Sequence, residues 1–228
     1  MTASGDLGVL RGETGMLHRW LLLGTAFLIF VVLCVLVLQP GPVRFDLQIR
    51  AWFHELSSAN LTAFFVFISQ LGSWFVLLSM GVLLAILIVN RHPEVRMLTI
   101  TLYGAVALSA ALKLAFHVSR PEPFFGLATP ETHSFPSAHA LVSCCFFSLI
   151  ADIISRRIRH RLGRWCIWVI AGCMITAIGI SRVYLGMQYP SSVLAGYAAA
   201  VIWLEFASFA LGRMTANLDD REVVHPIH

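Results

Sequence analysis

Residues 181–196 read SRVYLGMQYPSSVLAG and join two apolar runs, Trp165–Val183 and Ser191–Leu211. Each run is about 20 residues long, the length that an α-helix needs to cross the hydrocarbon core of a bilayer. The stretch between them therefore connects two predicted membrane spans. Its polar residues, Arg182 and Gln188 among them, are predicted to lie at a membrane surface.

Four more apolar runs precede this pair, and they are predicted to be spans as well. They are Trp20–Leu38, Leu61–Val89, Met97–His117 and Ser137–Ile154. No small-residue cleavage site follows the first run, so we expect a retained helix there and not a signal peptide. The segment Val43–Ser58 has apolar residues at helical spacing and is predicted to be a short amphipathic helix at the membrane interface. Its apolar positions are Phe45, Ile49, Trp52, Phe53 and Leu56.

The composition agrees with a membrane protein. The chain is 58% hydrophobic and only 12% charged, whereas soluble proteins carry about 25% charged residues. We therefore predict an all-α polytopic protein with six transmembrane helices in one domain, residues 20–212, between an N-terminal segment (1–19) and a C-terminal tail (213–228). The cysteines lie in apolar stretches and are expected to be packed thiols, without a disulfide framework. They are Cys34, Cys144, Cys145, Cys166 and Cys173.

The basic residues predict the orientation of the spans. Five arginines lie between residues 156 and 164, and loops rich in arginine and lysine stay on the cytoplasmic side. Both termini are then cytoplasmic, and the opposite ends of the helices face the outside or the periplasm. A bacterial inner (plasma) membrane suits a chain of this size. Since the basic residues lie in short segments between spans, a nucleic-acid partner is not expected, and nothing in the pattern indicates an oligomeric state.

Three segments of the predicted outer face carry residues that are unusual at a membrane. In Lys113–Pro121, Lys113 and Arg120 are seven residues apart, which places them on one helix face. The sequence Phe135–His139 is typical of a helix start, where free backbone N–H groups and the helix dipole favour a bound anion. The third segment begins with Ser181 and Arg182, at the end of an apolar span.

Each of these residues alone has an ordinary explanation. Lys113 can snorkel to the interface, His139 can lie beside a capped helix end, and Arg182 can anchor its span. Together they place three cations and a helix N-terminus on one membrane face, and apolar surroundings then require an anion. Because arginine binds phosphate as a planar fork and lysine as a point charge, we predict a cage for the phosphate group of a lipid.

The order and spacing of the three segments resemble the tripartite signature of the type 2 phosphatidic acid phosphatase and haloperoxidase superfamily. That signature reads K-x6-R-P, then P-S-G-H, then S-R-x5-H-x3-D. Here the motifs occupy residues 113–121, 136–139 and 181–192, and the resemblance covers about residues 61–211. It implies a six-helix bundle of the integral-membrane lipid phosphatase branch.

The resemblance also implies roles for individual residues. Phosphate would be bound by Lys113, Arg120, Ser137, Ala138 and Arg182. His139 would act as general acid for the leaving alcohol. Ala138 stands where the family has glycine, which keeps the backbone N–H. The soluble haloperoxidase branch binds vanadate, but no cofactor is expected here. No metal site is expected either, because His54, His225 and His228 show no grouping with acidic partners.

Two residues depart from the family pattern. Gln188 stands where the family has its nucleophilic histidine, and Ser192 stands where it has the aspartate that orients that histidine. The flanking residues fit on both sides, so the register is not slipped. A glutamine amide nitrogen has no free lone pair with which to attack phosphorus, and a serine cannot stabilise an imidazolium as a carboxylate does.

Three functions remain open at the level of sequence. The first, which we favour, is a protein that binds or moves phospholipids or polyprenyl phosphates or diphosphates without the phosphohistidine step. The second is an active lipid phosphatase or phosphotransferase with a relocated nucleophile, for which His117, His133 and His139 are the candidates. The third is a structural membrane subunit.

Overall fold

The chain folds into a bundle of long helices. The structure, a computed structural model, describes residues 4–88, 93–128 and 132–224, and within these ranges no strand occurs. The helices are α1 (Ser4–Val37), α2 (Arg44–Glu55), α3 (Ala59–Leu71), α4 (Trp74–Ile88), α5 (Pro93–Phe116), α6 (Ala138–Arg157), α7 (Arg161–Tyr184) and α8 (Pro190–Val224). The predicted all-α fold is confirmed.

Six segments of these helices are long and apolar enough to cross a membrane. They are Leu17–Val37, Ala59–Ile86, Met97–Phe116, Ala138–Arg157, Arg161–Tyr184 and Pro190–Ala210. Large apolar side chains are exposed along them, such as Leu28 at 63% and Phe206 at 59%. Such side chains are stable on an outer surface that faces lipid, which is as apolar as they are. The six predicted spans are confirmed.

The second span is broken, which the sequence prediction of a continuous helix over Leu61–Val89 did not anticipate. Helix α3 ends at Leu71, and α4 begins at Trp74. A Cβ atom on Gly72 would collide with the side chain of Ile178 in α7, so the close approach of these helices requires glycine. Ser73 accepts the first hydrogen bond of α4, from Leu77 N at 3.0 Å.

The terminal helices extend beyond the predicted membrane domain. Helix α1 begins at Ser4, inside the predicted N-terminal segment, and α8 continues to Val224, inside the predicted tail. Neither glycine nor proline occurs between Arg213 and Val224, so nothing in the sequence terminates the helix at the membrane surface. His225 and His228, which the sequence analysis excluded as metal ligands, lie outside the described residues.

Helix α2 turns several of its large apolar residues outward. Trp52 is 56% exposed and Ile49 is 37% exposed, whereas Asp46 is only 2% exposed. The amphipathic helix is present as predicted, and Asp46 and Arg50 on its inner side contact the bundle. This is the arrangement expected when the surrounding medium is apolar.

Helix α6 lies at the centre of the bundle, packed between α5, α7 and α8. Its residues 140–146 are all buried, and Leu141, Cys145 and Phe146 form the main core with residues of α4, α5 and α8. Two small residues of α8, Ala199 and Ala200, are buried in the same core. The N-terminus of α6 is therefore held firmly in place.

Gly196→Ala tests how closely α8 approaches that N-terminus. A Cβ at Gly196 would lie 2.7 Å from Ser137 O and 2.9 Å from Ala140 Cβ. We expect destabilisation of about 1–3 kcal/mol from the overpacking, measured as a lower apparent melting temperature in detergent. The matched control is Gly172→Ala in α7, where nothing lies within 4 Å of the added atom. An equal effect of both variants would contradict this account.

Candidate phosphate-binding site

The cations of the three sequence motifs meet at one end of the bundle. Lys113 lies in the last turn of α5, and Arg182 lies in the last turn of α7. Lys113 interacts electrostatically with Arg120 and Arg182, and His139 interacts with all three cations. The structure thus brings together the four residues that the sequence analysis placed in one cage.

Arg120 is held by the protein itself. Its Nε donates to Thr132 O at 2.6 Å, Nη2 donates to Thr132 Oγ1 at 2.8 Å, and Nη1 donates to Met187 O at 3.3 Å. Burial lowers the pKa of the Arg120 guanidinium below its ordinary value, though it stays charged near neutral pH. Arg120 therefore ties the loop after α5 to the turn between α7 and α8. Thr132, which anchors it, was not predicted.

Gln188 occupies the nucleophile position and is engaged on both sides. In the amide orientation that satisfies both neighbours, Gln188 Oε1 accepts a hydrogen bond from Arg120 Nη1 at 2.6 Å. Its Nε2 donates one to Ser134 O at 2.8 Å. The residue is 2% exposed. Ser192 Oγ lies 3.3 Å from Ser134 Oγ, within hydrogen-bond distance. Both departures from the family signature are thus built into the local hydrogen bonding.

The second motif forms the N-terminus of α6, as predicted. Ser137 Oγ accepts a hydrogen bond from Ala140 N at 3.4 Å, and Ser137 N donates to Ser192 O at 2.9 Å. The backbone N–H of Ser137 is therefore already used, although its hydroxyl can still donate. The amides of Ala138 and His139 belong to the first turn, where N–H groups have no acceptor within the helix.

Arg182 projects into a cavity of about 280 Å³. The residue is 5% exposed, and its Nη1 donates to Ser69 Oγ at 2.7 Å. Its Nε is buried, and no residue in the described part of the chain accepts a hydrogen bond from it. The cavity is lined by Val66, Ser69, Gln70, Ser73, Leu127, His139, Arg182, Leu185 and Met187.

The three histidines proposed as alternative nucleophiles are placed differently. His139 lines the cavity beside Arg182. His117 and His133 pack against each other with ring centroids 4.7 Å apart, and neither lines the cavity. Across the ranges 4–88, 93–128 and 132–224, no three histidine, cysteine or acidic side chains group as a metal site.

The positive charge in the cage has no nearby carboxylate among residues 4–88, 93–128 and 132–224. Within the described ranges, the salt bridges join Arg19 to Glu205 and Arg156 to Asp152, all outside the cage. Among the residues that the structure describes, no aspartate or glutamate lines the cavity. Charges buried in this way are stable when an anion pairs with them.

Two residues of α2 hold the third motif in place and were missed by the sequence analysis. Asp46 Oδ1 accepts a hydrogen bond from Ser191 N at 2.7 Å, and Oδ2 accepts one from Ser191 Oγ at 2.6 Å. The carboxylate thus caps the N-terminus of α8. Arg50 Nη2 donates to Glu122 O at 2.6 Å and Gly186 O at 3.3 Å. The spacing of Asp46 and Arg50, one helical turn apart, was the available signal.

Asp46→Ala is expected to destabilise the protein by about 2 kcal/mol, because two hydrogen bonds to a buried carboxylate are lost. Burial raises the pKa of Asp46 above its ordinary value, so the folded state keeps the proton to higher pH than the unfolded state. The contribution of Asp46 to stability therefore falls as pH rises from its unfolded pKa through its raised folded pKa. Asp46→Asn should lose less stability than Asp46→Ala and abolish this pH dependence.

The measurement is the apparent melting temperature in detergent between pH 4 and pH 7. Relative to wild type, Asp46→Asn should become more stable as pH rises through that window. A difference between the two proteins that stays constant with pH would contradict the assignment.

Comparison with known proteins places the chain in a family. A profile of the PAP2 superfamily matches residues 94–213, which is more than half of the chain and contains all three motifs. The chain belongs to the PAP2 superfamily. The resemblance inferred from the motifs is confirmed, and the protein is an integral membrane member of that family.

Two PAP2 relatives with assigned activities are similar in sequence. Phosphatidylglycerophosphatase B of Bacillus subtilis (strain 168) is 30% identical over 99 residues, which are 42% of this chain and 47% of that protein. The match therefore spans about half the length of that relative. Undecaprenyl-diphosphatase of Sulfolobus acidocaldarius is 25% identical over 196 residues, covering 84% of this chain and 89% of that protein.

Two PAP2 crystal structures share the fold. The transmembrane PAP2-type phosphatidylglycerolphosphate phosphatase of Bacillus subtilis superposes with a TM-score of 0.75 at 23% identity, covering 84% of this chain and 96% of that one. LpxE of Aquifex aeolicus superposes with a TM-score of 0.57 at 21% identity, covering 74% and 97% respectively. At these identities the likeness establishes the architecture alone.

Proposed function

We propose that this PAP2 protein binds lipids through their phosphate groups and does not hydrolyse them by way of a phosphohistidine. The observation that carries the proposal is Gln188. Its amide occupies the nucleophile position, is 2% exposed, and bonds Arg120 and Ser134. An amide in this place can help to bind an anion, but it cannot attack phosphorus.

The cage supports a phosphate ligand. Lys113, Arg120 and Arg182 lie close enough to interact. In the described part of the chain no carboxylate lines the cavity beside them. The first-turn amides of α6 add donors of the kind that bind phosphate. The related proteins are named for a phosphatidylglycerophosphate and an undecaprenyl diphosphate. The ligand class we propose is accordingly a phospholipid or a polyprenyl phosphate or diphosphate.

The orientation we propose places the cage on the outer face of a bacterial plasma membrane, with cytoplasmic termini. Helix α6 begins at the cage and ends at Arg157, and α7 returns from Arg161 to Arg182. The arginine-rich turn between these helices therefore lies at the end of the bundle opposite the cage. The positive-inside rule assigns that turn to the cytoplasm.

The test uses purified full-length protein in detergent micelles. We expect phosphate release from phosphatidic acid, phosphatidylglycerophosphate and farnesyl diphosphate to equal the release in micelles without protein. The same lipids should raise the apparent melting temperature of the protein, whereas lipids without a phosphomonoester or diphosphate should not. Turnover at an ordinary enzymatic rate, of about 1 per second or more, would overturn the proposal.

One observation favours the alternative of a relocated nucleophile. His139 lines the cavity together with Arg182, so an imidazole does border the space where a phosphate would bind. Under this alternative His139→Ala abolishes turnover, while His117→Ala and His133→Ala leave it intact, since those two histidines stack on each other outside the cavity. A turnover that survives all three substitutions would eliminate the alternative.

A further inference from the structure

The break in the second span lies directly below the phosphate cage. Gly72, at the break, packs against Ile178 of α7. Ile178 precedes Tyr184, at the end of α7, by six residues, or about 9 Å along the helix. The break is therefore inside the predicted membrane and below the level of the cage.

The break supplies polar groups at that depth. The cavity lined by Arg182 and His139 is also lined by three polar residues at the break. They are Ser69 and Gln70 from the last turn of α3, and Ser73, which directly precedes α4. Ser73 O accepts the first hydrogen bond of α4, from Leu77 N. The backbone N–H groups between Ser73 and Leu77 are therefore the free N–H groups of a helix N-terminus. Such a terminus carries partial positive charge, and half-helix ends bind anionic groups in this way in membrane transporters.

Arg182 provides an independent indication of a ligand. Its side chain is 5% exposed, and Nη1 is fixed on Ser69 of the broken span at 2.7 Å. That contact leaves Nε buried without an acceptor among the described residues. An unpaired buried donor of a charged group costs free energy, and an anion in the cavity would remove that cost.

We propose that the α3–α4 break forms a second anion subsite, made by Ser69, Gln70, Ser73, the N-terminus of α4 and Arg182. This inference rests on the proposed function. The phosphate cage holds one phosphate of a lipid headgroup, and the subsite holds the next phosphate. The ligand class selected is a lipid diphosphate in preference to a lipid monophosphate. A neutral polar headgroup fits less well, because it leaves the positive charge of Arg182 and of the helix terminus unpaired.

The experiment compares two short-chain probes, farnesyl phosphate and farnesyl diphosphate, for binding to the full-length protein in detergent. We expect wild type to bind the diphosphate about tenfold more tightly, since the second phosphate gains charge-assisted hydrogen bonds. In the variant Ser73→Ala plus Gln70→Ala, that preference should fall to about twofold or less. The affinity of this variant for the monophosphate should stay unchanged, and that unchanged affinity also shows that the variant is folded. Ser109→Ala, which removes a buried hydroxyl of α5 outside the cavity, should keep the full preference.

The outcomes separate this inference from the proposed function. Equal binding of both probes by wild type, or an undiminished preference in the double variant, would overturn the subsite. Neither result would contradict phosphate binding by the cage. Failure of both probes to bind wild type would overturn the proposed function itself. Inorganic pyrophosphate that binds as tightly as farnesyl diphosphate would overturn the assignment of the subsite to a lipid headgroup.

Discussion

The double variant Gln188→His plus Ser192→Asp is expected to release phosphate from lipid phosphates at least about 100-fold faster than the wild-type protein. The two substitutions restore the histidine and the aspartate of the PAP2 signature. The remaining groups are already in place, because Lys113 and Arg182 interact with Arg120 and His139 lines the cavity. Installing the nucleophile should therefore complete the site.

The local geometry favours both substitutions. Gln188 already contacts Arg120 Nη1 at 2.6 Å, so an imidazole in its place would lie beside the Arg120 guanidinium. Ser192 lies in the first turn of α8, which begins at Pro190, and a carboxylate there is stabilised by the helix dipole. That carboxylate can orient the imidazole and stabilise its charged form.

The single variants separate the two contributions. Gln188→His alone should be slower than the double variant by about 100-fold or more, because an unsupported histidine lacks its orienting acid. Ser192→Asp alone should release no phosphate, since it adds no nucleophile. A phosphoryl group on the double variant that is stable to acid would not be a phosphohistidine, and would show that phosphate transfer does not use residue 188. Wild-type turnover equal to that of the double variant would show the same.

Much of the fold could be predicted from the lengths of the apolar runs in the sequence. Apolar runs of about 20 residues have few structures available to them other than membrane-spanning helices, and all six were found. The convergence of Lys113, Arg120 and Arg182 was predictable for a related reason. A charge at the edge of a span, such as Lys113 or Arg182, is costly without a partner, so several such charges indicate a common anion.

The features that sequence analysis missed depend on contacts between distant segments. The break at Gly72 arises from its packing on Ile178, more than 100 residues away along the chain. Asp46 was missed because its partner, Ser191, lies 145 residues away along the chain, and the helical spacing of the apolar residues in α2 does not indicate that contact. The engagement of Arg120 by Thr132 depends on the path of a loop, which hydrophobic periodicity does not describe.

The two arginines of the cage should respond differently to substitution. Arg182→Gln should weaken the binding of lipid phosphates by about 10- to 100-fold, the loss expected for charge-assisted hydrogen bonds. Among the described residues, the Arg182 side chain donates one hydrogen bond, to Ser69, and its Nε has no acceptor, so much of its hydrogen-bonding capacity remains for a ligand. Arg120 instead donates to Thr132, Met187 and Gln188, so Arg120→Gln should mainly lower the melting temperature of the ligand-free protein.

Binding affinity and ligand-free melting temperature, measured on the same samples, distinguish the two roles. Arg182→Lys keeps the charge but loses the planar fork, and should lie between wild type and Arg182→Gln in affinity. Arg164→Gln, on the arginine-rich turn at the far end of the bundle, is the matched control and should change neither quantity. If Arg182→Gln bound lipid phosphates as well as wild type, the unpaired Nε would not be a ligand contact, and both the cage and the subsite below it would lose their common residue.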